Sequence, residues 1–335
     1  MKYVTATSLA TFLLTLSAPA VVAQDRIPVL QENGEEVVAT FSIVAQDPAT
    51  GELGVAVQSR AFRAAAIVSY AKAGVGAIAT QAAANQSYGP RGLELLEQGL
   101  SPEQVVAQLT GGDDGRDRRQ LAVIDATGRV KAYTGSRTSD WAGHIEGVNY
   151  SVQGNILVSE KVIRAMAEAF ENTEGELAER LMNALDAGQA EGGDARGKQA
   201  GGILVVRPIG DSGRTTDRWV DVRVDDHPTP FLEIRRLMNM SVSRNKSRLA
   251  SELAADGNFE DAIAAQRKAI AMRPESDQYV YGLARLHARA GNAAAAVEAL
   301  TQAIVMNNRW RDQASGQADF DGISGDAAFR RLIGG

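Results

Sequence analysis

The chain carries three histidines, His144, His227 and His287, and no cysteine. A thiolate nucleophile and a thiolate metal site are therefore excluded. There is no His-Glu-x-x-His run and no close histidine pair. The one histidine beside carboxylates stands in Asp225-Asp226-His227, ahead of Pro228. It reads either as a partial metal-ligand set or as a solvated turn. His287 falls within a helical pattern and reads as structural. No Gly-x-Ser-x-Gly elbow and no phosphate-cradling Walker loop occurs. Gly192-Gly193-Asp194, continuing through Ala195-Arg196-Gly197-Lys198-Gln199, is more unusual. Two glycines before an Asp and an Arg predict a tight loop presenting polar groups, with a plain connector as the alternative. No cofactor motif is present, and none is expected to be needed.

The elements that must position such groups begin after an export signal. Lys2 precedes an apolar stretch from Leu9 to Leu16, and Val21-Val22-Ala23 supplies the small residues a signal peptidase reads. Residues 1–23 are expected to be a signal, 24–39 a linker or pro-segment, and the mature protein periplasmic or secreted. The apolar stretch is short for a membrane span, so no membrane association is expected after signal removal. The net charge is −6 with no clustered Lys or Arg. This excludes non-specific nucleic-acid binding, which needs basic groups to neutralise phosphates.

From Thr40 the pattern turns to strand. Thr40-Phe41-Ser42-Ile43-Val44-Ala45 is rich in β-formers, Asp47-Pro48-Ala49-Thr50-Gly51 signals a turn, and Leu53, Val55 and Val57 alternate beyond it. Further strands are expected at 64–70, 75–80, 119–125, 129–134, 150–156, 203–206 and 219–224. Helices are expected around Leu93–Leu96, after the capping box Ser101-Pro102-Glu103-Gln104, and at 159–171 and 176–187. Hairpins and helices in this order predict an α+β sandwich of antiparallel sheets, not a doubly wound parallel sheet.

From Phe231 onward the pattern is helical and repeats. Asp256-Gly257-Asn258 recurs as Ala290-Gly291-Asn292 at a spacing of 34, as do Ala262 with Ala296 and Ala269 with Ala303. Residues 245–335 thus resemble tetratricopeptide repeats, with 310–333 as a closing segment. The alternative is an ordinary pair of helical hairpins. So short an array is expected to pack on the first domain or on another chain, and to offer a surface to a protein partner.

Residues 40–230 resemble the domain-of-unknown-function 1028 family. The matching segments are Thr40 to Ala45, Gly51 to Ser59, Ala73 to Ala77 through Thr80-Gln81, and Asn85 to Leu95. Further matches are Trp141-Ala142-Gly143-His144, Val152-Gln153-Gly154-Asn155, Gly192-Gly193-Asp194 with Arg196, Gly197 and Gln199, and Val224 to Pro228. The resemblance implies a four-layer αββα sandwich of the N-terminal-nucleophile (Ntn) hydrolase type over 40–240. It implies that Thr40, once at the head of the chain, attacks an amide carbonyl; a small linear or peptide-like amide is the default expectation for the substrate. Its own α-amine would take the hydroxyl proton, since that amine titrates near ~7.7–8.0. The alternative for Thr40 is an ordinary β-branched strand residue. Asn155 is the candidate oxyanion donor. Gln81, Asn85, Gln153, Asp194 and Arg196 are candidate substrate-binding groups, each with loop bracing as the alternative.

Signal cleavage after Ala23 leaves 16 residues, 24–39, ahead of Thr40. The mechanism therefore requires a second cut, for which Val37-Val38-Ala39 offers a small-residue site. Two function classes follow: an exported amide hydrolase, or a catalytically silent ligand-binding domain with an interaction module. A metal-assisted hydrolase at His227 is a weaker third, and homo-oligomerisation stays open.

Overall fold

The computed structural model describes residues 37–38, 40–209 and 215–334. The signal expected at 1–23, and all of 24–39 except Val37–Val38, lie outside the described residues. The strands are β1 (Val37–Val38), β2 (Thr40–Asp47), β3 (Glu52–Ser59), β4 (Ser69–Lys72), β5 (Gly76–Ala83), β6 (Arg119–Asp125), β7 (Val130–Thr134), β8 (Gly143–Gly147), β9 (Tyr150–Asn155), β10 (Ala200–Val206) and β11 (Arg218–Val224). They form two antiparallel sheets. The first has the order β11-β10-β3-β2-β9-β8; in the second, β1-β5-β6-β7, β4 also pairs with β5.

Strand β2 is buried on both faces from Thr40 to Gln46, its polar residues included. Phe41, Ile43 and Ala45 face the helices α4 (Lys161–Asn172) and α5 (Leu177–Ala190), meeting Ile163, Met166, Phe170, Leu181 and Leu185. The alternate residues face the second sheet, where Val44, Val55 and Val57 meet Ala77, Ala79, Ala122 and Ile124. Small side chains on the second sheet let the two layers approach closely. That sheet's outer face carries α2 (Tyr88–Glu97) and α3 (Pro102–Gly111), with Ile78, Leu121 and Val123 packed on Tyr88, Leu96, Val105 and Leu109. The layers run α, β, β, α, as expected. Complete burial of an aromatic such as Phe41 stabilises the sandwich by about 1.5–3 kcal/mol.

Two local expectations are corrected. Residues Ala64–Val68 form a short helix, α1, and only Ser69–Lys72 is strand. Three consecutive alanines favour helix, and the apolar content that suggested a strand instead serves the inter-sheet core. Strand β8 was not apparent because Gly-His-Ile-Glu-Gly has a single strong β-former.

The 26-residue helix α6 (Pro230–Ala255) joins the sandwich to the helical region. Its first half, through Phe231, Ile234, Met238 and Val242, belongs to the sandwich core, while Ala250 and Ala254 pack with the helices that follow. The passage expected between 240 and 245 thus falls inside one helix. Lys246–Glu176 (2.6 Å) and Lys268–Glu179 (2.9 Å) add ion pairs between the two parts. Next come α7 (Phe259–Met272), α8 (Asp277–Arg289), α9 (Ala293–Met306), α10 (Arg309–Ser315) and α11 (Ala327–Gly334). Gly257 (φ +80°) and Gly291 (φ +77°) turn the chain at equivalent helix ends, a left-handed backbone that glycine adopts without strain. The paired alanines Ala262 and Ala296, and Ala269 and Ala303, are all fully buried, so the sequence repeat is also a packing repeat. Trp310 closes the end by stacking on Tyr281 at 4.2 Å, and Phe320 stacks on Phe329 at 5.3 Å. Among the described residues, no helix is long and apolar enough to cross a membrane.

Candidate functional site

Thr40 is the first residue of β2, and its register places it between Ser59 of β3 and Asn155 of β9. Residues directly opposite in antiparallel pairs share a face. Ser59, Thr40 and Asn155 therefore form a row across three strands at one end of the first sheet, directed toward the second. All three are buried. With the preceding chain attached, the Thr40 nitrogen is a peptide amide, and burial keeps the residue from solvent.

A hydrogen-bonded chain of amides and hydroxyls connects this row to the second sheet. Gln81 of β5 donates Nε2 to the Thr40 carbonyl (3.3 Å) and to Gln120 Oε1 (2.7 Å), and its Oε1 accepts from Ser42 Oγ (2.6 Å). Gln153 donates to Ser42 Oγ (2.6 Å) and accepts from Ser151 Oγ (3.1 Å). Asn155 donates Nδ2 to Gln120 Oε1 (3.2 Å). Gln120, in turn, gives Nε2 to Thr134 Oγ1 (2.9 Å), Gly143 O (3.1 Å) and Gly154 O (2.9 Å). Thr134 Oγ1 also meets His144 Nδ1 at 2.8 Å. Burial lowers the His144 pKa, favouring the neutral ring against the pull of Glu146. Buried amides cost free energy unless partnered, so these mutual bonds fix each side chain's orientation.

The Gly192-Gly193-Asp194 loop reaches the same end. Gly192 (φ +105°) and Gly193 (φ +64°) are both left-handed, and a Cβ on Gly193 would stand 2.9 Å from the Phe41 ring. This turn delivers the Asp194 carboxylate, fully buried, to the backbone N–H of Arg60 (2.9 Å), the residue after Ser59. Asp194 also accepts from the Arg196 backbone N–H (2.9 Å) and from its guanidinium at 3.0 and 3.2 Å. Arg196 is thereby held at the rim with its side chain 17% exposed.

Asn85, a candidate substrate-binding group, stands outside this network. It lies in the turn after β5, where its Oδ1 accepts from the Ser87 backbone N–H (3.2 Å) and Oγ (2.8 Å) and its Nδ2 reaches Asp113 (3.3 Å). Asp113 also accepts from Tyr88 Oη (2.7 Å) and Arg119 Nε (3.0 Å). Burial pushes the Asp113 pKa up, but the hydrogen bonds from Arg119, Tyr88, Gly115 and Asn85 outweigh it and hold the carboxylate well below its ordinary range. This cluster braces the helix side of the second sheet.

Four of the inward polar positions that matter were missed from the sequence: Ser42, Ser59, Gln120 and Thr134. Their signal was a polar residue near the end of a strand whose neighbouring positions on the same face, Val44, Val57, Ala122 and Ala132, read as core. His227, the metal candidate, uses Nδ1 to accept from the Thr229 backbone N–H (3.1 Å) in the turn before α6. Among the described residues, no group of three or more His, Asp or Glu is placed to hold a metal ion. Ala82, just after Gln81, holds φ +67°, a left-handed backbone uncommon for a residue with a Cβ.

The profile of a family of unknown function, DUF1028, matches residues 40–234. Among solved structures, the chain is similar to the crystal structure of a DUF1028 protein from Silicibacter pomeroyi. The identity is 32% and the TM-score 0.56, over 61% of this chain and 86% of that one. No curated protein matches.

Proposed function

Because the chain belongs to the DUF1028 family, whose function is unknown, we propose an activity from the site itself: hydrolysis of small linear or peptide-like amides by an Ntn mechanism. The observation that carries this is the row Ser59–Thr40–Asn155, with a hydroxyl nucleophile at the first position of a buried strand and fixed amides around it. In this reading the αββα sandwich is of the Ntn type.

Removal of residues 24–39 gives Thr40 a free α-amine. That amine takes the Thr40 hydroxyl proton as Oγ attacks the substrate carbonyl. Asn155 has two amide hydrogens and commits one to Gln120; the other serves the oxyanion. Gln81 holds the Thr40 carbonyl, which fixes the amine relative to the hydroxyl. Gln153, two residues into the strand and buried, supports Ser42 and Gln81 rather than touching substrate. Asp194 positions the Ser59–Arg60 corner, and Arg196 places a cation at the rim. The uncut chain is inactive in this account, since its Thr40 nitrogen is an amide. Thr40→Ser should retain measurable amide hydrolysis once cut, and Thr40→Ala should lose it. Undiminished hydrolysis by cut Thr40→Ala would refute the assignment.

Export, suggested by the pattern of residues 1–23, places this activity in the periplasm or outside the cell. The helical region is proposed as a tetratricopeptide-like module for a protein partner. What supports it is a groove of about 340 Å³ lined by Gln266, Tyr281, Arg285, Arg289, Gln313 and Asp319.

A further inference from the structure

Strand β5 has two neighbours on its outer edge, because β6 occupies the other side. Its first half, Gly76–Ala79, is covered by β4. Its last residues pair with β1, antiparallel, with Val37 opposite Ala83 and Val38 opposite Ala82. The two-residue strand on that edge is the chain that leads, through Ala39, into Thr40. When the Ala39–Thr40 bond is cut and the leading segment departs, Ala82 and Ala83 lose their β1 pairing, while the Ala82 carbonyl keeps the Ala84 N–H (2.9 Å) and the Ala83 carbonyl keeps the Arg119 guanidinium, each with a second lone pair for an incoming strand. An open strand edge is a template for an extended chain.

The geometry of this edge relative to the nucleophile is set by Gln81, which precedes Ala82 and donates to the Thr40 carbonyl at 3.3 Å. The departing segment is itself the acyl side of a severed amide: Val37-Val38-Ala39 ended at a carbonyl bonded to the Thr40 nitrogen. A substrate whose acyl side follows the same track brings its own carbonyl to the same end of β2. On β5 the track is lined by the small, buried side chains of Ala82 and Ala83, with the Arg119 guanidinium already spent on the Ala83 carbonyl and on Asp113.

We infer that the β5 edge at Ala82–Ala83 is the acyl-side binding track of the site. Its substrate is an extended peptide or peptide-like amide with small aliphatic residues, of the Val-Val-Ala kind, on the acyl side of the cleaved bond. This rests on Thr40 as nucleophile and adds the class of substrate. Thr40 Oγ bonds to the acyl carbon as its proton passes to the α-amine. The carbon–nitrogen bond then breaks, and the leaving amine takes that proton. Water attacks the resulting ester, giving its proton through the amine to the departing Thr40 Oγ, and releases the carboxylic acid.

The test uses full-length protein in which residues 36–39 are replaced by the factor Xa site Ile-Glu-Gly-Arg, so that a cut on the folded protein leaves Thr40 first. The same protein is made with Thr40→Ala. Acetyl-Val-Val-Ala is the binding probe, and its p-nitroanilide is the substrate. The acid should slow amide hydrogen exchange over residues 81–85 in both cut proteins. Methylating the peptide nitrogens should weaken binding at least tenfold, because it removes the strand donors. Acetyl-Val-Val-Ala-p-nitroanilide should be cleaved at least tenfold faster, in kcat/KM, than acetyl-Glu-Glu-Ala-p-nitroanilide. Hydrolysis of either anilide without exchange protection at 81–85, or without preference between them, would overturn the track and leave the nucleophile standing. Protection at 81–85 without any hydrolysis would support the track and overturn the nucleophile.

Discussion

Replacing Gln120 by leucine tests the inter-sheet amide network on which the site is built. Gln120 accepts from Gln81 Nε2 and Asn155 Nδ2 and donates to Thr134 Oγ1, Gly143 O and Gly154 O. Leucine preserves much of the volume and none of these bonds. Some partners keep an alternative: Gln81 still reaches the Thr40 carbonyl, and Thr134 still meets His144. Asn155 Nδ2 does not, and the Gly154 carbonyl loses a donor in a buried place. Each buried group left unpaired costs about 1–3 kcal/mol, so Gln120→Leu should destabilise the sandwich by about 2–5 kcal/mol. Urea unfolding followed by tryptophan fluorescence would show this as a lower midpoint with an unchanged slope. A double-mutant cycle with Gln81→Leu should return a coupling of about 0.5–3 kcal/mol, because the two amides share a bond. A loss below about 0.5 kcal/mol, with no coupling, would mean that the two sheets are not joined through these side chains.

Three further outcomes follow from the packing and electrostatics. Glu52 is almost completely buried at the far end of the β2–β3 hairpin, 3.9 Å from Arg207. Burial first, and then Glu176, push its pKa up from 4.5 to about 7, against the pull of Arg207. A carboxyl raised on folding penalises the native state increasingly as pH rises from about 4.5 to about 7, by about 3 kcal/mol in full. Glu52→Gln should therefore flatten the fall in unfolding free energy over that window, as measured by urea titrations at several pH values. Asp194→Ala should cost about 2–4 kcal/mol by removing the acceptor of Arg60 N–H and the partner of Arg196. Hydrogen exchange should then quicken at 59–61 and 193–199 while α7 to α9 keep their rates. In the helical region, Ala269→Leu and Ala303→Leu overfill equivalent, fully buried sites. Each should destabilise by about 1–3 kcal/mol in thermal unfolding, and by similar amounts.

The elements with local chemical signatures were legible in the sequence. The capping box at Ser101 forms in both directions, with Gln104 N–H on Ser101 Oγ (3.4 Å) and Ser101 N–H on Gln104 Oε1 (2.9 Å). The 34-residue repeat shows in the equal burial of its paired alanines. The Gly-Gly-Asp loop does present polar groups, as its composition suggested, though they turn largely inward onto Arg60 and onto each other. What stayed hidden depends on a second layer. A glutamine such as Gln120 inside a strand looks solvent-facing until the other sheet is in place. Asn85 illustrates the converse. Its amide and the family resemblance made it a candidate for the same pocket as Gln81, yet the chain has left β5 by then and carries it to the Asp113 cluster. Residues Ala64–Val68 failed as a strand because an apolar run of that length is compatible with either element, and alanine content decided it.

The most direct test of the account is the amino terminus of the active species. Protein recovered from its native host should be analysed by intact mass and N-terminal sequencing, alongside amide hydrolysis of the same sample. The active chain should begin at Thr40, with activity that appears as that terminus appears. An amide-hydrolysing protein that begins at Gln24 and keeps residues 24–39 attached would contradict it.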